Sequence, residues 1–283
     1  MTYRETENLF FSELNDIYPE YETGAIIQIV FAQIFKLTRF EIHQKAKDTV
    51  PLELESQIYN IIRQLKQYKP LQYILGVTEF YGLPFIVNES VLIPRPETEE
   101  LVQWIINDCK DNKAPSILDI GTGSGCIAVS LAKNIPESKV SGIDISNKAI
   151  ETAYKNALLN NLEINFIQCD ILNYEPDKFG LFDIIVSNPP YIDREQELLM
   201  QPNVLQYEPH IALFAPDNKP LQFYETIALF AFDKLSHGGL LYFEINEKYP
   251  DETSKLIRNI GFSTELKQDI NNKYRMLKAW KNG

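Results

Sequence analysis

From Ser116 onward the chain alternates short apolar runs with stretches of helical periodicity, and the first of these units restricts the fold most. Ile117-Leu118-Asp119-Ile120 reads as a buried strand. Gly121-Thr122-Gly123-Ser124-Gly125 then leads into a helix through Ala128, Leu131 and Ala132. A strand, a glycine loop and a helix in that order predict an α/β sheet, because neighbouring parallel strands need a crossover helix between them. Val140–Ile145 predicts the second strand, Lys148–Asn160 a helix, Ile164–Asp170 the third strand and Ile184–Ser187 the fourth. Gln222–Leu235 predicts a further helix and Gly239–Ile245 the fifth strand. Ser263–Leu266 and Arg275–Trp280 can close the sheet as two more, which makes seven.

The glycine spacing is G-x-G-x-G, without the extra residue of the dinucleotide fingerprint and without a following P-loop lysine. Glycines there let the backbone approach a ligand at a helix N-terminus. Asp119 fits either a ligand role or the capping of its own loop. Asp144, at the end of the second strand, can accept hydrogen bonds from two ribose hydroxyls. Asp170, at the end of the third, can accept from an exocyclic adenine amine, and Ile171 can pack on the ring. A nucleoside bound without phosphate recognition points to S-adenosylmethionine.

The fourth strand ends in Ser187-Asn188-Pro189-Pro190-Tyr191. Both prolines fix φ and donate no N–H, and a residue before proline is kept out of helical backbone. The chain therefore leaves the strand extended, at the sheet edge where open α/β folds bind ligands. Asn188 and the Pro189 carbonyl supply two acceptors for a planar NH2 group, and Tyr191 can pack on its face. An amide nitrogen is a poor nucleophile because its lone pair is delocalised. Acceptors on both N–H groups stabilise the positive charge that develops as the lone pair attacks. The same letters also fit a strand that ends in a proline-rich turn.

Residues 1–75 read as a small helical bundle. Leu9, Phe10, Leu14 and Ile17 have helical spacing, as do Ile26, Ile29, Val30, Ile34 and Leu37. Thr38 and Glu41 form a capping box for a short third helix, and Leu54, Ile58, Ile61, Ile62 and Leu65 form the stripe of a fourth. The bundle fits a packing module and a partner-recognition module equally well. Aromatic and β-branched residues broken by Gly76, Gly82 and Pro84 predict a β-hairpin linker over 76–95. Residues 96–283 make the third segment, opening with a helix from about Pro96 to Asn107. Proline and acids suit that helix start, which leaves Arg95 without a purely structural reason.

A net charge of -12 argues against a broad nucleic-acid face. Cys109, Cys126 and Cys169 lack paired spacing and read as reduced thiols of a cytoplasmic protein. His43, His210 and His237 are scattered, so neither a metal site nor a general base is evident. The most apolar helix candidate, near Ile26–Leu37, is broken by Gln28, Gln33 and Lys36, and no membrane span is expected.

With these segments in view the chain resembles the HemK/PrmC family, methyltransferases that modify the glutamine of class 1 peptide chain release factors. The resemblance rests on Pro70–Gly76, Phe80-Tyr81-Gly82-Leu83, Ile93–Glu99, the glycine loop, Val186–Ile192, and Glu208-Pro209 with Ala212-Leu213. The tetrapeptide Asn188–Tyr191 is shared with adenine-N6 and other amino methyltransferases; the 70–99 segments make the match specific. The resemblance implies a class I, Rossmann-like α/β fold with a seven-stranded mixed sheet behind an all-α N-terminal bundle. It implies that Gly121–Gly125, Asp144, Asp170 and Ile171 hold S-adenosylmethionine. It implies that Asn188 and the Pro189 carbonyl bind the glutamine of a Gly-Gly-Gln loop. Pro190, Tyr191 and Arg95 are expected on the substrate side, Arg95 either contacting the partner or bracing the active-site loop. Asn246 and Tyr249 depart from it, standing where the family has glycine and glutamine in E-I-G-x-x-Q. A cytoplasmic monomer without direct nucleic-acid binding is expected. The competing readings are a nucleic-acid amino methyltransferase and a binding module without turnover.

Overall fold

The structure is a computed structural model that describes residues 1–110, 114–216 and 219–281. It divides into two compact units: Met1–Gly76 with Gln201–Tyr207, and Val77–Met200 with Glu208–Gly283.

The smaller unit is helical: α1 (Tyr3–Leu14), α2 (Glu20–Val30), α3 (Arg39–Gln44), α4 (Leu52–Leu65) and α5 (Leu71–Leu75). Capping boxes at Thr2/Glu5 and Thr38/Glu41 start α1 and α3, each satisfying orphan backbone N–H groups. Phe10, Leu14, Val30, Phe31, Ile58 and Leu65 form its core. A π-turn, Phe31–Phe35, continues α2, and Lys36 ends it in the left-handed region at φ 55°. Neither this turn nor α5 is visible in the apolar spacing. α5 is one short turn that begins after Pro70 and ends at left-handed Gly76, so it has no room for a periodic stripe.

The larger unit opens with the hairpin β1 (Val77–Phe80) and β2 (Leu83–Ile86). Tyr81 and Gly82 turn it with φ 51° and 70°, the two positive values a two-residue hairpin favours. The hairpin belongs to this unit. Asn156 accepts from Ile86 N at 2.6 Å and donates to Ile86 O at 2.9 Å, and Asn160 donates to Pro84 O at 3.0 Å. Both asparagines lie in or next to the helix introduced below as α8, so side-chain amides hold β2 as a neighbouring strand would.

After α6 (Pro96–Asp108) the main sheet comprises β3 (Ser116–Ile120), β4 (Lys139–Asp144), β5 (Asn165–Gln168), β6 (Phe182–Ser187), β7 (Leu235–Glu244), β8 (Phe262–Gln268) and β9 (Tyr274–Lys281). Helices α7 (Cys126–Asn134) and α8 (Asn147–Leu159) join the first three strands. The strand order is β5-β4-β3-β6-β7-β9-β8, seven strands as expected. Strands β3 to β7 pair in parallel, and β9 pairs antiparallel with both β7 and β8. β4 and β5 build out one side of β3, whereas β6 begins the other. The topological switch point therefore lies between the C-terminal ends of β3 and β6.

Side chains alternate across the sheet. Ile117, Ile184, Val186 and Tyr242 face α6, α7 and the hairpin; Leu118, Ile185, Leu241 and Phe243 face the helices Gln222–Lys234 and Pro250–Ile260. The helix Pro250–Ile260 is absent from the sequence expectation. Two of its three fully covered positions are Thr253 and Ser254, so the apolar stripe is short. Among the described residues no helix is long and apolar enough to cross a membrane, and no cluster could hold a metal ion. All three cysteines are free.

Candidate active site

The switch point opens into a cavity of about 480 Å³. On one side, Ile120 at the end of β3 pairs with Ser187 at the end of β6, and Ser187 Oγ donates to Ile120 O at 2.7 Å. This pairing sets the glycine loop beside the Asn188 loop. Gly121 and Thr122 donate to Ile143 O at 2.8 and 2.9 Å, which bends the loop over β4. Gly121, Gly123 and Gly125 take φ of 72°, 55° and 79°, values that L side chains resist. At Gly125 a Cβ would also meet Ala153 of α8 at 3.0 Å.

The cavity wall holds Gly121 to Ser124, Asp144, Asp170, Ile171, Asn188, Pro189, Pro190 and Arg95, all candidates from the sequence. Three expected residues stand apart from it. Gly125 packs against α8 as the residue before α7. Asp119 is fully buried, with Oδ2 accepting from Thr122 Oγ1 at 2.6 Å and Oδ1 accepting from none of the described residues. Burial, opposed by the Thr122 bond, pushes its carboxyl up to about 7. Tyr191, expected on the face of a planar substrate group, turns its hydroxyl to Glu244 Oε1 at 3.1 Å and does not line the cavity. Burial raises that phenol further, so it remains a proton donor.

Asp144 Oδ2 accepts from Gly123 N and Oδ1 from Ser146 N, both at 2.9 Å. Burial raises its pKa against those bonds. Each oxygen keeps a second lone pair for a ligand hydroxyl. Asp170 is more fully engaged locally: Oδ1 accepts from Leu172 N at 2.9 Å and Oδ2 from Asn173 Nδ2 at 2.7 Å. The acceptor capacity of Asp144 and the Ile171 surface, both on the cavity wall, fit a nucleoside.

Asn188 Nδ2 donates to Thr98 Oγ1 at 3.3 Å, and Thr98 Oγ1 donates to Glu244 Oε2 at 2.6 Å. The pleat explains the meeting. Asn188 follows β6 and Glu244 ends β7, both in phase with the residues that face α6, where Thr98 sits in the first turn. Arg95 forms an ion pair with Glu208 Oε1 at 2.6 Å, and Glu208 Oε2 accepts from Ile93 N at 3.3 Å. That pair ties the strand of chain before α6 to the segment after Tyr207. Arg95 is therefore a brace of the cavity wall as well as part of it.

Sequence reasoning missed Thr98, Glu244 and His210. Thr98 lies on the stripe Thr98, Leu101, Val102 and Ile105, all buried; a hydroxyl at that spacing is the available signal. Glu244 is the carboxylate that follows the apolar run Leu240–Phe243. His210 lines the cavity although 22 positions separate it from Asn188.

Residues 9–76 match the model of the PrmC N-terminal domain, and residues 98–206 match that of the methyltransferase small domain. The release factor glutamine methyltransferase of Flavobacterium psychrophilum is 47% identical over 95% of this chain and 96% of its own length. The chain belongs to the release factor glutamine methyltransferase family. The relative of that name from Bacteroides thetaiotaomicron is 40% identical over 94% of this chain and 95% of its own length. Among solved structures, a methyltransferase from Pyrococcus furiosus superposes with a TM-score of 0.52 at 18% identity, over 82% of this chain and 99% of that one. It shares the fold. Within the family pattern, the two departures have visible partners. Asn246 Nδ2 donates to Tyr191 O at 2.9 Å, and Tyr249 OH donates to Asp193 Oδ2 at 2.6 Å. Both fasten the segment that follows Asn188-Pro189-Pro190.

Proposed function

We infer that the protein transfers the methyl group of S-adenosylmethionine to the side-chain amide nitrogen of a glutamine in a release factor. The target is the glutamine of the Gly-Gly-Gln loop of class 1 factors, methylated at N5, and the reaction belongs to the cytoplasm. One observation carries this reading: the Asn188 acceptor and the glycine loop open into the same cavity at the switch point.

S-adenosylmethionine supplies an electrophilic methyl group on a sulfonium. Gly121 to Ser124, Asp144, Asp170 and Ile171 would hold it, with Gly125 and Asp119 shaping the loop from behind. Asn188 Oδ1 and the Pro189 carbonyl accept from the two N–H groups of the glutamine amide. They fix its plane and stabilise the charge that appears on nitrogen. The attacking nitrogen becomes acidic as its lone pair is used, so no base has to act before attack. The family names of the relatives and the net charge of -12 both favour a protein substrate over a nucleic acid.

The test is a transfer assay with labelled S-adenosylmethionine, a purified release factor and the same factor with the Gly-Gly-Gln glutamine changed to alanine. Label on the first alone is expected. Label on neither, with transfer to RNA or DNA, would overturn the assignment.

A further inference from the structure

An asparagine can present either end of its amide, and only the oxygen can accept from a substrate N–H. The polarity of the hydrogen bonds behind Asn188 decides between them. Glu244 is buried at the end of β7, 2% exposed. As a carboxylate it can only accept. Thr98 Oγ1, 2.6 Å from Glu244 Oε2, must therefore direct its single proton there. Thr98 Oγ1 is then an acceptor towards its other neighbour, Asn188 Nδ2 at 3.3 Å. That bond places the NH2 of Asn188 against α6, which leaves Oδ1 as the end of the amide that can serve the cavity Asn188 lines. Tyr191 OH, at 3.1 Å, occupies Oε1 of the same carboxylate.

We propose that Glu244 and Thr98 are positioning residues that hold the amide oxygen of Asn188 towards the reacting nitrogen, Glu244 setting the direction of the relay and Thr98 transmitting it. The proposal rests on the methyl-transfer reading above. It also makes the orientation depend on the charge of Glu244. A protonated Glu244 can donate to Thr98, whose own proton is then available to Asn188 Oδ1, and the amide turns over. Burial raises the Glu244 pKa and Glu97 of α6 adds to the rise. The bonds from Thr98 and Tyr191, and the charge of Arg275 on β9, oppose it.

The experiment compares wild type, Thr98→Val, Thr98→Ser and Glu244→Gln with a release factor as substrate, reading kcat, S-adenosylmethionine affinity by calorimetry and the pH profile of kcat. Wild-type turnover comes first; its absence overturns the function and the relay that rests on it. With turnover present, Thr98→Val is expected to lose about 100-fold in kcat, the cost of an unaligned transition-state partner. Its cofactor affinity should stay within about twofold, and Thr98→Ser should return to within about threefold of wild type. The wild-type profile is expected to fall on the acid side, and Glu244→Gln to lose that fall along with most of its turnover. Thr98→Val at the wild-type rate overturns the proposal. So does Thr98→Ser as impaired as Thr98→Val, or a loss of cofactor affinity that matches the loss of kcat. If Thr98→Val does not fold, Glu244→Gln, which keeps the shape of the carboxylate, decides: an unchanged kcat and acid limb overturn it.

Discussion

Individual residues divide the work of the cavity, and substitutions should separate the parts. Asn188→Ala removes an acceptor that matters most when charge develops on the nucleophile. It is expected to lower kcat about 100- to 1000-fold while leaving S-adenosylmethionine affinity unchanged by calorimetry. Asp144→Ala removes an acceptor for the cofactor and should weaken its binding about 10- to 100-fold, the range of a charge-assisted hydrogen bond. Asp119 carries a pH signature. Its folded pKa, about 7, stands above the ordinary value of 3.8. A raised carboxyl contributes stability that is full below the unfolded pKa and is lost as pH rises through the folded one. The melting temperature of the free protein is therefore expected to fall between about pH 4 and about pH 8, and Asp119→Asn should flatten that slope. The acceptors and the acids at strand ends were legible in the sequence because the α/β pattern fixes where strand ends lie. Tyr191 was misplaced, and Thr98 and Glu244 unseen, because their meeting joins residues 146 positions apart through the pleat of two strands. No local pattern encodes that pairing.

At the level of elements, the cavity depends on how closely neighbouring pieces approach. Gly142 of β4 lies under the ring of Phe166, and a Cβ there would stand 2.7 Å from Phe166 Cδ1 and 2.9 Å from Thr122 Oγ1. Gly142→Ala must therefore push either the β5 side chain or the glycine loop. It is expected to destabilise the protein by about 1–3 kcal/mol in chemical denaturation, as overpacking does. Loss of cofactor affinity should accompany it, because Thr122 belongs to the loop. Apolar periodicity recovered the strands and most helices of the sheet. It passed over the helix Pro250–Ile260, whose buried face uses Thr253 and Ser254, and over α5, which is too short to show a period. The hairpin was legible from the aromatic and β-branched residues broken by Gly76, Gly82 and Pro84, but its attachment was not. The bonds from Asn156 and Asn160 come from a helix some 70 positions away.

For the molecule as a whole, the acidic charge and the family membership point the same way. A net charge of -12 gives no general attraction to phosphate backbones. Added RNA is accordingly expected to leave the rate of release-factor methylation unchanged, whereas a nucleic-acid methyltransferase would be competed. The most direct test of the central claim is mass spectrometry of the Gly-Gly-Gln peptide from a release factor incubated with the protein and S-adenosylmethionine. One added methyl group on the glutamine side chain, absent with Asn188→Ala, is the expected result. An unmodified glutamine, or a methyl group on another residue of that peptide, would contradict it.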